Sequence, residues 1–158
     1  TDKVRFVNGD IFATDFKTAN VITLYLLPSL NLKLRPTILE MRPGTRVASH
    51  AFNMAEWEAD ETANIEGRQA YLWIVPAKVS GNWNLQVGSQ SQAITLQQNF
   101  QMLTGSGIEG RMRGDEIRFT TTEGGSKREF TGRVQGNTMS GTVKTSGQAD
   151  SQWSAARR

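Results

Sequence analysis

The chain has 158 residues, with 18 Lys or Arg against 15 Asp or Glu, one histidine and no cysteine. The absence of cysteine excludes disulfides, thiolate nucleophiles and cysteine-ligated zinc. A net charge of +3 is too small to indicate a nucleic-acid partner, and no apolar run approaches the roughly 20 residues of a membrane-spanning helix. We therefore expect one or two small domains with no metal, no nucleic-acid partner and no membrane span. The compartment stays open between cytoplasm and periplasm.

The first 76 residues alternate between short apolar runs and longer connections, which is typical of an α/β sheet. Strands are predicted at residues 4–7, 21–27, 46–52 and 71–75. The second run is almost unbroken, and such a run is typical of a parallel strand that is buried on both faces. We therefore expect the first three strands to be neighbours, with residues 21–27 the most buried.

A helix is predicted between the second and third of these strands. Its apolar residues have helical spacing: Leu30, Leu34, Ile38 and Met41. Pro36 predicts a break or restart within it, and Arg42-Pro43-Gly44 is a stop signal. The polar residues 55–69 are interpreted as a loop or a short helix.

The pattern changes near residues 76–82, which divides the chain into candidate domains 1–76 and 77–158. After Gly81, apolar residues alternate with polar ones, and turn signals such as Gln135-Gly136-Asn137 recur about every ten residues. This pattern predicts an antiparallel β meander or partial barrel of five or six strands. That number is short of the eight strands of a closed lipocalin-like carrier. The whole chain is expected to be β-rich.

Three segments resemble class I S-adenosylmethionine (SAM)-dependent methyltransferases: VRFVNGDIF (4–12), VITLYLLP (21–28) and MRPGTRVASH (41–50). In that family the third strand ends in a Gly-Asp pair, the fourth ends at the methyl-transfer site, and a Lys/Arg-Pro-Gly turn leads into the fifth. The run from Leu24 to Asp60 is most similar to a subgroup that includes protein-lysine methyltransferases of the ATP synthase c-subunit type. The resemblance implies that residues 1–76 form the C-terminal part of a Rossmann-like methyltransferase sheet.

The same resemblance implies SAM as cofactor and an amine acceptor, such as a protein lysine. The family's glycine-rich SAM loop and the acidic residue that holds the ribose do not occur in these 158 residues. Both would contribute polar contacts to the cofactor. We therefore expect this chain to be a fragment that does not bind SAM tightly and is inactive by itself.

The resemblance implies a cofactor site formed by Asp10, Ile11, Phe12 and Leu24. Asp10 matches the position that accepts a hydrogen bond from the adenine amino group, and Ile11 would offer its main-chain N–H and its side chain to the ring. The alternative for Asp10 is a turn residue that caps a loop.

The predicted catalytic residues are Tyr25, Asn31 and His50. Tyr25 lies at the end of the fourth family strand, and no Asp or Asn precedes Pro28, so methylation of a DNA base or a glutamine is not supported. Asn31 could substitute as the polar ligand of the acceptor. His50 ends a strand, where it is either a general base or substrate-binding group or a histidine satisfied by the backbone.

A second hypothesis is that the β-rich half is a binding, docking or oligomerisation module without catalytic activity. Separately from this hypothesis, a fragment that lacks the family's first strand leaves the edge of the strand at 21–27 unpaired, and we expect self-association of the chain through that edge. For two further sets of residues we expect structural roles and no direct part in function. The four tryptophans are expected in the core or between domains, and the arginines at 111, 113, 118, 128 and 133 on solvated strand faces.

Overall fold

A computed structural model describes residues 3–158 of the chain. Its first half contains a helix and a four-stranded sheet: β1 (Val21–Leu24), α1 (Pro28–Leu39), β2 (Arg46–His50), β3 (Glu61–Ile65) and β4 (Arg68–Ile74). The strand order is β1-β2-β4-β3. Only β1 and β2 are parallel, and α1 connects them, whereas β4 is antiparallel to both β2 and β3.

The helix α1 begins at Pro28, whose missing N–H is no loss at the first turn of a helix. It continues through Pro36, so the predicted break is wrong. A proline inside a helix removes a main-chain hydrogen bond. The side chains of Leu34 and Ile38, on either side of it, are buried against the sheet and offset that cost. The stop signal is confirmed, since the helix ends at Leu39.

The predicted strand at residues 4–7 is wrong. These residues form no strand and are exposed, with 92% of Phe6 accessible, because no neighbouring strand covers them. The strand predicted at 21–27 is limited to β1, which lies at the edge of the sheet. It is mostly exposed, so the expectation that it is the most buried strand is also wrong. Its parallel pairing with the next strand is confirmed.

The segment 55–69 is not a loop or a helix throughout, since it contains β3, which forms a hairpin with β4. All five residues of β3 are exposed. A strand that buries no side chain has no alternation of apolar and polar residues, so the sequence carries little signal for it.

The second half is a closed eight-stranded antiparallel barrel. The predicted antiparallel meander is confirmed, since consecutive strands are neighbours, but the predicted number of five or six strands and the partial barrel are wrong. The order around the barrel is β10-β11-β12-β5-β6-β7-β8-β9. The strands are β5 (Gly81–Val87), β6 (Gln90–Asn99), β7 (Met102–Gly105), β8 (Ile108–Arg113), β9 (Glu116–Glu123), β10 (Ser126–Gln135), β11 (Thr138–Thr145) and β12 (Ser151–Arg157). The predicted β-rich character is confirmed.

The barrel interior is filled by side chains, as expected for eight strands. Phe119 and Phe130 stack with ring centroids 4.5 Å apart, and the Trp153 indole meets both edge to face. The polar atom of the indole is also satisfied, because Trp153 Nε1 donates a hydrogen bond to the carbonyl of Thr131 at 3.0 Å. The interior is therefore a packed core.

Two separate hydrophobic clusters stabilise the chain. One lies between α1 and the four-stranded sheet and includes Trp57 and Trp73; the other fills the barrel and includes Trp83 and Trp153. All four tryptophans are at least 98% buried, which confirms the structural interpretation. Within residues 3–158, no helix has the length and apolar character needed to cross a membrane.

Candidate functional site

The carboxyl ends of the parallel strands β1 and β2 lie side by side, with Leu24 paired to Ser49. Such an edge is where open α/β sheets bind ligands. Tyr25 and His50 directly follow this pair in the sequence. Their rings are in contact edge to face, with centroids 4.8 Å apart. The structure thus brings together two of the three predicted catalytic residues. Tyr25 is 76% exposed.

Asn31 lies on α1, on the other side of the sheet from Tyr25 and His50. It is completely buried. Its side-chain Nδ2 donates to Ser49 Oγ at 3.3 Å and to the carbonyls of Phe52 and Asn53 at 3.3 and 3.4 Å. These bonds tie the helix to the chain that follows β2. The alternation of side chains along a strand explains the separation, because Ser49 and His50 point to opposite faces.

Two buried polar atoms at this edge have no hydrogen-bond partner in the described part of the chain: Asn31 Oδ1 and His50 Nδ1. Buried polar atoms are rarely left unpaired, and an exception calls for a functional or structural reason. The reading of His50 as satisfied by the backbone therefore does not hold for Nδ1.

Residues 51–60, which we call the site loop, leave the end of β2 with Ala51 at a φ of 65°. Arg35 of α1 holds the middle of this loop, since its Nη1 donates to the Met54 carbonyl at 2.9 Å and to Glu56 Oε2 at 2.8 Å. The hydrogen bond and charge of Arg35 lower the pKa of the Glu56 carboxyl. The loop ends at Asp60, whose side chain is 1% exposed and accepts from the Ile74 N–H and from Arg111.

The predicted cofactor residues Asp10, Ile11 and Phe12 form a turn near the start of the chain. Asp10 Oδ1 accepts a hydrogen bond from the main-chain N–H of Phe12 at 2.9 Å, which is the turn role that was the alternative for this residue. The Lys33 ammonium lies 3.9 Å from the centroid of the Phe12 ring, so the turn touches α1. The Leu24 side chain is buried in the hydrophobic cluster beside α1.

Sequence reasoning missed Ser49 and the carbonyls of Phe52 and Asn53. Ser49 was interpreted only as part of a strand, and a single polar residue in a strand is a weak signal. Main-chain carbonyls have no signal in a sequence at all. Among residues 3–158, no group of three His, Cys, Asp or Glu side chains is placed to hold a metal ion.

Comparison with known proteins finds methyltransferases. Residues 1–61 match the family model of the ANTKMT methyltransferase domain. The methyltransferase resemblance is confirmed. A curated relative, the "Protein-lysine N-methyltransferase" of Saccharolobus islandicus (strain REY15A), is 34% identical over 80 residues, which cover 48% of this chain and 50% of that protein.

A solved structure also matches: an RNA methyltransferase from Salinibacter ruber in complex with S-adenosyl-L-homocysteine. It has 48% identity and a TM-score of 0.48, over 49% of this chain and 52% of that one. The chain spans about half the length of the curated relative that it matches.

Proposed function

We propose that this chain contributes to SAM-dependent transfer of a methyl group to an amine, with a protein lysine as the acceptor. The observation that carries the proposal is the polar edge at the ends of β1 and β2, which holds two buried, unpartnered atoms inside the segment that matches a methyltransferase domain. The relative named as a protein-lysine methyltransferase supports the acceptor class. In this proposal, residues 1–76 are a partial Rossmann-like methyltransferase domain and residues 77–158 are a separate β domain.

The cofactor would contact the turn at residues 10–12. Phe12 and Ile11 are 37% and 41% exposed, so their apolar faces are available to an adenine ring. SAM supplies an electrophilic methyl group when it is bound. These residues give only part of the contacts that such a ligand needs, which leads us to propose weak binding by the 158-residue chain alone.

The acceptor would be oriented by the polar edge. A methyl acceptor must present a neutral lone pair, so an amine has to lose a proton, and proximity then supplies much of the rate enhancement. Asn31 is buried on the other side of the sheet from His50, so it would position the site loop through its bonds to the carbonyls of Phe52 and Asn53 and would not touch the same amine. His50 is the candidate group to receive the proton, and the exposed Tyr25 ring would line the entrance beside it.

The test is a methyl-transfer assay with tritiated SAM and a lysine-rich protein, in the gene product that carries this chain. We expect labelled protein, with activity reduced at least tenfold by His50→Phe, which keeps an aromatic ring against Tyr25 but removes both nitrogens. Arg68→Gln, a change in an exposed residue at the start of β4, is the control. Unlabelled protein, or full activity in His50→Phe, would contradict the proposal.

A second candidate function is favoured by the closed barrel. It has its own core, distinct from that of the sheet, and could act as a docking or oligomerisation module. Calorimetric titration of SAM into the 158-residue chain and into the gene product that carries it separates the two candidates, because tight binding by the gene product is expected of a catalytic unit and binding by neither is expected of a docking module.

A further inference from the structure

The turn between β6 and β7 is unusual for this barrel. It consists of Phe100 and Gln101, and Phe100 has a φ of 53°, which bulky residues rarely adopt. Every other connection between barrel strands has a glycine at positive φ: Gly88, Gly107, Gly114, Gly124, Gly125, Gly136 and Gly147. A residue held in a costly conformation points to a function of its side chain.

The Phe100 side chain packs on the site loop. Its ring is stacked on the Trp57 ring, with centroids 6.1 Å apart and planes at 14°. The guanidinium of Arg35, which belongs to α1, lies 5.3 Å from the centroid of the Phe100 ring. One ring from the barrel, one from the loop and one cation from the helix therefore meet at a single point.

Gln101 makes the polar contact beside it. Its side chain is 1% exposed in the fold and its Nε2 donates to the carbonyl of Glu58 at 2.8 Å. Its main-chain carbonyl accepts from the Met112 N–H at 2.7 Å. The residue is thus fixed to the barrel wall at one end and to the site loop at the other.

We propose that Phe100 and Gln101 are positioning residues, through which the barrel sets the conformation of the site loop and so of His50 and the Asn53 carbonyl at the methyl-acceptor edge. The inference rests on the proposed function, because His50 is the group assigned there to receive the proton of the acceptor. It gives the barrel a role in the site although no barrel residue lies at the ends of β1 and β2.

The test uses two variants of the 158-residue chain. Gln101→Met keeps a flexible side chain of similar length without the donor, and Phe100→Gly removes the ring and relieves the turn. The control is Val143→Ala, which removes buried methyl groups on β11 from the barrel cluster, whereas the loop residues Met54 and Trp57 belong to the other cluster. Circular dichroism checks that all three fold.

The first readout is amide hydrogen exchange of peptides that cover residues 51–60. We expect about fivefold faster exchange in Gln101→Met, the factor that corresponds to one neutral hydrogen bond of about 1 kcal/mol, and a larger increase in Phe100→Gly. The second readout is the NMR signal of the His50 ring, which is unambiguous because the chain has one histidine. Both variants should shift it.

Unchanged loop exchange and an unchanged His50 signal in both variants would overturn the inference. Equal changes in Val143→Ala would overturn it too, since they would show a general loss of stability. Neither readout depends on methyl transfer. A gene product that transfers no methyl group therefore refutes the proposed function, whereas a loop indifferent to Phe100 and Gln101 refutes only their positioning role.

Discussion

At the scale of single residues, the polar groups of the first half divide into those that hold the chain together and those left unpaired. Asp60 belongs to the first kind, because both carboxylate oxygens are used and the side chain is buried. Asn31 belongs to both, since its Nδ2 binds the site loop while its Oδ1 has no hydrogen-bond partner among residues 3–158. Such an arrangement ties α1 to the site loop.

Replacing Asp60 should destabilise the protein. Asp60→Ala removes the acceptor of the Ile74 N–H and the partner of Arg111, and hydrogen bonds to charged groups are worth about 1.5–3 kcal/mol each. We expect a loss of about 2–3 kcal/mol in urea unfolding, and a smaller loss for Asp60→Asn, which keeps an acceptor for Ile74. The adjacent Glu61→Ala should change stability by less than about 0.5 kcal/mol, because its pair with Arg113 is exposed. Equal effects at the two positions would show that burial of the carboxylate is unimportant.

Asp10→Ala should weaken SAM binding in the gene product that carries this chain. If Asp10 accepts a hydrogen bond from the adenine amino group, its loss costs about 1–3 kcal/mol. The same change removes the bond to the Phe12 N–H, so the turn at residues 10–12 should also loosen. Calorimetry with Asp15→Ala as the control measures the effect, and an unchanged dissociation constant would leave Asp10 with its turn role alone.

The contribution of Glu56 should depend on pH. Arg35 lowers the pKa of this carboxyl below its ordinary value of 4.5, so the pair stabilises the folded state above that value and loses its effect as the pH falls through the lowered pKa. Glu56→Gln should therefore lower the thermal midpoint at pH 7, and only slightly, because the pair is solvent-exposed. The difference should shrink as the pH falls below 4.5. Glu109→Gln is the control, since Glu109 has no ion-pair partner among residues 3–158. A difference that does not shrink on acidification would contradict the assignment.

At the scale of elements, the sequence predicted the parts that bury apolar side chains at a regular spacing. The unit β1-α1-β2 follows from two apolar runs and the helical spacing of Leu34 and Ile38. In contrast, β3 buries nothing, and residues 4–7 are apolar without being a strand. Closure of the barrel was missed because β7 has only four residues, and because Gly110, Gly132 and Gly141 interrupt the apolar alternation of their strands.

The candidate site, like the fold, could be predicted from the sequence only in part. The meeting of Tyr25 and His50 follows from the ends of two adjacent parallel strands. The placement of Asn31 on the opposite side of the sheet does not, because the face that a residue occupies depends on register and on how the helix docks. Neither quantity can be obtained from residue spacing alone.

Glycine in the middle of two barrel strands is required by packing. Gly132 pairs with Gly141, and Gly141 pairs with Trp153. A Cβ atom at Gly132 would clash with the main-chain oxygen of Ser140 and lie 2.7 Å from an indole carbon of Trp153. Gly132→Ala should therefore cost about 2–3 kcal/mol, the effect of overpacking a core. Gly136→Asn is the control, since that turn position is open and asparagine tolerates positive φ. Calorimetric melting of both variants decides the point, and equal stability would show that both the neighbouring strand and the indole can move aside.

At the scale of the whole molecule, the two halves differ in whether their outer strands are paired on both sides. The barrel is closed, so each of its strands has two neighbours. The sheet is open at β1, where exposed apolar side chains gather: Val21, Tyr25 and Leu27 are 48%, 76% and 61% accessible. An open apolar edge is a template for pairing with another strand.

We therefore expect the 158-residue chain to associate with a second copy through β1, burying on the order of 1,000 Å². Light scattering at high micromolar concentration should show dimers or larger species. Val21→Lys should reduce association, because a charge on an edge strand opposes pairing. The matched change Ile65→Lys, on the opposite edge strand, should not. A monomer at that concentration would refute the prediction.

The barrel closes where β12 pairs with β5, and this pairing joins residues as far apart in the sequence as 83 and 157. The order in which the barrel strands are synthesised therefore affects when it can close. A ribosome releases β5 long before β12, so β5 has only one neighbour until the last barrel strand emerges. Contacts between such distant parts of a chain also form slowly. The sheet around α1 is assembled from residues that emerge earlier, and domains synthesised first tend to fold first. The barrel should thus close after translation, which makes docking of the Phe100–Gln101 turn, and with it the final conformation of the site loop, a late step in folding.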